Sequence, residues 1–210
     1  MNTFGFLDDK LKEVIAEYIS NIDKEILNQF DDLRDERALV GALQYALSNK
    51  KFTDILGNMF KQKNLNLDVL NFRAITEKSE KKTGVDFSII LNIITPNKQV
   101  IQKSLIIQAK NTETDYGKKI RKDQLEKMFQ ISEKASVLLY FTKKGIEVTF
   151  AKDILKNSTK KYIDINNRLK KDFTEFIFNF FKCSIGDHNQ ELYKKIENRD
   201  LSNYVQYTIK

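Results

Sequence analysis

Asp86, Gln108 and Lys110 flank a short apolar hairpin, where they could act on one molecule together. Alternate residues of a strand share a face, which sets Asp86, Ser88 and Ile90 on one side and Val85, Phe87 and Ile89 on the other. On the partner strand Ser104, Ile106, Gln108 and Lys110 share a face, with Leu105, Ile107 and Ala109 opposite. If Asp86 lies on the Gln108/Lys110 side, a carboxylate, a carboxamide and an ammonium converge beside an apolar layer, an expensive arrangement unless something binds there. Glu36 adds a second carboxylate, because it falls in line with Val40, Leu43 and Leu47 on the face of a helix that would pack on the sheet. Carboxylate and amide oxygens hold a hard divalent cation, and a lysine steadies an attacking water and the charge of a transition state. The chemistry is that of metal-assisted phosphodiester hydrolysis. Taken singly, each residue also reads as an ordinary strand-end or helix-surface polar group, and Asp32 and Asp35, within a turn of Glu36, are alternatives to it.

The elements that must position these groups begin with helices. From Asp8 to about Phe30, Leu11, Val14, Ile15, Tyr18, Ile19 and Ile22 recur at helical spacing, and from about Leu33 to Ser48 so do Leu39, Val40, Leu43 and Leu47. Asp54–Lys61 is a shorter third helix. Strands follow at Leu67–Ile75, Val85–Ile94 and Val100–Lys110, and Thr95-Pro96-Asn97-Lys98 joins the last two as an antiparallel hairpin. A helix over about Lys118–Glu133 precedes two more strands, Ala135–Phe141 and Ile146–Phe150, around Gly145. Between Ile165 and Cys183, Phe173, Phe176, Ile177, Phe180 and Phe181 form a helical stripe suited to the core or to a subunit interface. One proline and no Ser/Gly-rich stretch leave no linker, so residues 1–210 read as one α/β domain with a core over about 32–150 and a helical C-terminal extension over about 151–210.

Composition narrows the function classes. At 41% hydrophobic and 11% aromatic, the 210-residue chain is too apolar for disorder despite 31% charge. The longest uncharged stretch, Ala38–Asn49, is too short to cross a bilayer, and Asp8, Asp9 and Lys10 interrupt any leader core, so a cytoplasmic protein without membrane contact is expected. Cys183 and His188 are each alone, which excludes disulfide frameworks and zinc sites built from several cysteines or histidines; His188 reads as a solvated turn residue. The scattered glycines build no phosphate-cradling loop. Residues 1–75 hold 10 Lys/Arg against 12 Asp/Glu and the rest 26 against 17, so the basic excess lies in the second part and favours an anionic partner such as nucleic acid. Lys118, Lys119, Arg121 and Lys122 crowd the start of the fourth helix, where exposed N–H groups also favour phosphate; an ordinary solvated face is the other reading.

Gly84-Val85-Asp86, followed after the hairpin by Leu105-Ile106-Ile107-Gln108-Ala109-Lys110, resembles the PD-(D/E)xK nuclease superfamily in its Q-x-K variant. Residues from about Asp32 to Phe150 fit that family's order of acid-bearing helix, strand meander, helix and strand pair. The resemblance implies a restriction-endonuclease-like mixed sheet flanked by helices. It makes Asp86 a metal ligand, Gln108 the second ligand through its amide oxygen, Lys110 the catalytic lysine and Glu36 the helix acid that binds or orients the metal water. Gln124 is placed like a polar residue that some members turn toward the DNA backbone or active site. The implied cofactor is Mg²⁺ or Mn²⁺, the implied substrate is DNA, and the implied setting is prokaryotic restriction or anti-phage defence, as a homodimer or with a partner protein subunit. A catalytically silent nucleic-acid-binding or assembly subunit and an RNA-cleaving nuclease are the alternatives.

Overall fold

The computed structural model describes residues 9–30, 33, 35–72, 82–95, 97–114, 118–156, 159–164, 170–182, 184–198, 200–201 and 203–210. Asp32, Pro96 and Cys183, and the expected strand beyond Phe72, lie outside them. Three helices open the chain: α1 (Asp9–Gln29), α2 (Glu36–Ser48) and α3 (Lys50–Gln62). The third is longer than its apolar pattern suggests, because Asn49 ends α2 and caps α3, its side chain accepting from Lys51 N at 2.9 Å.

The strands β1 (Leu67–Phe72), β2 (Phe87–Ile94), β3 (Val100–Asn111), β5 (Ser136–Thr142), β6 (Gly145–Phe150), β8 (Lys171–Asp172) and β9 (Asn203–Ile209) form one mixed sheet in the order β1-β9-β2-β3-β5-β6-β8. The β2–β9 and β3–β5 pairs are parallel and the others antiparallel. The expected β2–β3 hairpin is present, with Phe87 opposite Ile107 and Ile94 opposite Val100. A separate two-stranded ribbon joins β4 (Lys119–Arg121) to β7 (Tyr162–Asp164). The remaining helices are α4 (Lys122–Ile131), α5 (Ala151–Leu155), α6 (Phe173–Phe181) and α7 (Gln190–Glu197).

Both faces of the sheet are covered, which is why β2 reads as a near-continuous apolar run and β3 is buried from Lys103 to Ala109 although half of its residues are polar. Phe87, Ile89, Leu91, Leu105, Ile107, Ala109, Val205 and Tyr207 face α1, α2, α3 and α6 in the larger core. The aromatic stripe of α6 belongs to this core: Phe173, Phe176, Ile177, Phe180 and Phe181 are all buried. Ile90, Ile106 and Tyr204 pack on the opposite face with Met128 of α4 and Leu192 and Ile196 of α7. A third cluster sets Ile120 and Ile163 of the ribbon, with Leu125 and Ile154, against Leu138 and Tyr140 of β5.

Two expectations need correction. The segment read as a helical C-terminal extension contains β9, which inserts between β1 and β2. Its pairing partners lie far away in the chain, so local periodicity carries no sign of its place. The helix expected from Lys118 starts instead at Lys122, because Lys119-Ile120-Arg121 alternates and buries Ile120 against Ile163 as a strand.

A buried tyrosine pair fixes α1 and α2 on the sheet. Tyr18 Oη lies 2.7 Å from the Leu47 carbonyl oxygen and 2.7 Å from Tyr207 Oη, itself 2.9 Å from that carbonyl. Burial pushes both phenols well above their ordinary range, so they act as neutral hydrogen-bonding groups that link α1, the end of α2 and β9.

Candidate active site

Glu36 is the first residue of α2, and the Asp35 side chain caps that helix by accepting from Arg37 N at 3.2 Å. Capping engages Asp35, while Val40, Leu43 and Leu47 hold the helix in the core and leave Glu36 at the sheet margin. There Lys110 Nζ donates to Glu36 Oε1 at 2.7 Å, with the lysine side chain 11% exposed and the glutamate 28%.

Asp86 immediately precedes β2. Its N–H donates to the Ile107 carbonyl at 2.8 Å, which extends the hairpin ladder by one residue and brings its carboxylate to the Gln108–Ala109 segment. Asp86 Oδ2 accepts from Gln108 Nε2 and from Ala109 N, each at 2.6 Å. Reversing the Gln108 amide would set its oxygen against a carboxylate, so the nitrogen faces Asp86 and Oε1 points elsewhere. Gln108 is fully buried, and its Oε1 has no hydrogen-bond partner. A buried, unpaired acceptor is costly unless a ligand, water or ion uses it, and Gln108 Oε1 shares this state with other buried atoms such as Gln44 Nε2 and Asn71 Oδ1 away from the site.

The Glu36–Lys110 and Asp86–Gln108 pairs meet the same end of β3, since Gln108 and Lys110 are two residues apart on one strand, roughly 7 Å. Two carboxylates and one ammonium leave a negative balance. The oxygens this strand end could offer a cation are hard ones: the Asp86 carboxylate, the Gln108 amide oxygen if that amide turned over from its hydrogen bond to Asp86, and the Glu36 carboxylate now held by Lys110. Oxygens of this kind suit Mg²⁺ or Mn²⁺. Among the described residues no cluster of three or more His, Cys, Asp or Glu is placed to hold a metal, so such an ion would complete its shell from phosphate oxygens and water.

Gly84 seats the loop that carries Asp86. Its φ is +73°, and a Cβ there would lie 2.7 Å from the Gln124 carbonyl oxygen, so only glycine allows α4 to approach this closely. Gln124, whose side chain is the expected polar group of this helix, meets the Gly84 loop through its backbone. Nothing in the residue types around Gly84 announces the left-handed turn.

The basic cluster is placed differently from a helix N-terminal patch. Lys119 and Arg121 project from the ribbon strand β4 and are exposed, and Lys122 alone enters the first turn of α4. Arg121 pairs with Asp123 at 2.5 Å and Lys122 with Glu126 at 3.3 Å, which offsets part of the positive charge. His188 is exposed, with Nδ1 2.9 Å from the Gln102 carbonyl, six residues along β3 from Gln108. No described helix is long and apolar enough to cross a membrane. Comparison of the chain with protein-family models, curated proteins and solved structures returns no match.

Proposed function

We propose that this protein is a Mg²⁺-dependent endonuclease of restriction-endonuclease-like fold that cleaves DNA. One observation carries the reading: the unpaired, buried Oε1 of Gln108 lies in a side chain bonded to Asp86, at the strand end where Lys110 meets Glu36. A bound divalent cation would supply Lewis-acid activation of the scissile phosphate and of a water. Asp86 would hold the cation, and Gln108 would join it through Oε1 by turning its amide over from the hydrogen bond to Asp86. Lys110, pre-positioned by Glu36, would donate to the attacking oxygen and offset the charge that develops on the phosphate. The neutral glutamine lowers the charge of the site, which favours weak metal binding and slow turnover. The resemblance of the Asp86 and Gln108-Ala109-Lys110 segments to PD-(D/E)xK nucleases supports a role in restriction or anti-phage defence, with a second copy or a partner subunit supplying target recognition.

Incubation with plasmid and with single-stranded nucleic acids, in Mg²⁺, Mn²⁺ or EDTA, tests the proposal. Cleavage should require the metal and stop in EDTA, and Asp86→Ala and Lys110→Ala should each abolish it while circular dichroism shows an intact fold. Unchanged cleavage in both variants overturns the site. DNA binding without cleavage in the wild-type protein would make the chain a binding subunit.

A further inference from the structure

We propose that the outer face of the β4–β7 ribbon is a platform for an unpaired DNA strand, with Tyr162 as its stacking surface. The inference rests on the nuclease reading for the choice of DNA and deepens it by naming where an unpaired segment of the substrate would bind.

Alternation divides the ribbon into two faces. Ile120 and Ile163 point inward and are buried, whereas Lys119, Arg121, Tyr162 and Asp164 point outward. Tyr162 is 51% exposed, one of few large apolar side chains among the described residues to be so open. It stands directly across from Arg121, and Lys161 Nζ lies 5.8 Å from its ring centroid. On the face itself Lys119 stands across from Asp164 and Arg121 pairs with Asp123, while Lys122 pairs with Glu126; the positive excess comes from Lys118, Lys160 and Lys161, which flank the two strands.

An aromatic ring framed by cations is how proteins hold single strands: the base covers the ring and the phosphates lie on the lysines. In a duplex both faces of each base are taken by its neighbours, so Tyr162 has a stacking partner only where a strand is unpaired. Three-residue strands span about 10 Å, room for one or two nucleotides.

The ribbon sits close to the chemistry. Ile120 and Ile163 pack on Leu138 and Tyr140, and on the same face of the sheet Leu138 pairs with Gln108 and Tyr140 with Lys110. The inner face of the ribbon therefore lies one sheet strand from the candidate site, and a strand held on Tyr162 lies on the far side of the ribbon from it.

Fluorescence anisotropy in EDTA, where no cleavage contributes, is the test, with labelled oligothymidylate, its duplex with oligodeoxyadenylate, and oligouridylate as probes. Oligothymidylate should bind most tightly. Tyr162→Ala should weaken it roughly tenfold while Tyr162→Phe binds like wild type, and Lys160→Ala with Lys161→Ala should reduce the salt slope by about 0.7 per contact. Unaltered binding by Tyr162→Ala, or tighter binding of the duplex or of oligouridylate, overturns the platform. Because cleavage is assayed separately with metal, loss of the platform leaves the Asp86 and Lys110 results standing. A Tyr162-dependent affinity without any cleavage supports the platform and sinks only the nuclease reading.

Discussion

Gln108 has a carboxamide where a metal site would ordinarily carry a second charge, and its Nε2 is committed to Asp86. Gln108→Glu removes that donor and sets two carboxylates together in a buried place. Without metal the variant should lose on the order of a few kcal/mol of stability, since a buried like-charge pair is left with Lys110 alone to offset it. With a divalent cation the same charge becomes a better ligand. Thermal melts should therefore show a larger Mg²⁺- or Mn²⁺-dependent rise for Gln108→Glu than for wild type, and calorimetry a higher metal affinity. A variant that melts lower and ignores metal would make Asp86, Gln108 and Lys110 ordinary strand residues. Gly84→Ala tests the seat of Asp86: a left-handed residue gains a Cβ facing the Gln124 carbonyl, so stability should fall by at least about 1–2 kcal/mol. Metal-dependent cleavage should fall further than the melt alone explains, because the misplaced group is the loop of Asp86. Cleavage that tracks stability only would reduce Gly84 to a packing role.

Among the elements, the contact of α1 with the β5–β6 turn carries a titration. Asp23 Oδ1 accepts from Ile146 N at 3.3 Å, and partial burial pushes the Asp23 carboxyl up to about 6, opposed by that hydrogen bond and reinforced by the Asp172 charge. Glu147 and Lys170, paired at 2.6 Å, and Lys144 and Lys171 also border this cleft of about 250 Å³. The folded protein holds the Asp23 proton more tightly than the unfolded chain does. Its contribution is thus fully present below the ordinary carboxyl range and is lost as pH rises through about 6. Asp23→Asn keeps an acceptor for Ile146 N and removes the ionisation. Its melting temperature should exceed that of wild type at pH 7.5 and converge with it near pH 4; a constant difference across that range would show that Asp23 does not titrate with folding.

At the scale of the whole molecule, β9 decides the cooperativity of the fold. It lies between β1 and β2 and brings Tyr207 to Tyr18 and Leu47, so the last residues of the chain tie the N-terminal helices to the sheet. A chain ending before Asn203 loses both ladders of β9, and β1 keeps no strand partner among the described residues. Such a chain should lack a cooperative thermal transition by circular dichroism. A truncated form that melts sharply would show the sheet to be stable without its second strand.

The sequence by itself determined the elements whose signal is local. The helical stripes of α1, α2 and α6, the Thr95-Pro96-Asn97-Lys98 turn signal and the alternation through Asp86 and Gln108-Ala109-Lys110 are all written in neighbouring residues, so those helices and the β2–β3 hairpin could be read directly. Glu36 could be named for the same reason, by its line with Val40, Leu43 and Leu47. Only tertiary structure decided the place of β9, the ribbon that took Lys119 and Arg121 out of a helix, and the approach of Gln124 to Gly84. In each case the partner is distant in the chain or the strand is only two or three residues long, too short for its period to show. The pairing of Lys110 with Glu36 joins residues 74 apart and depends on how α2 docks against the end of β3, which packing fixes and local pattern does not.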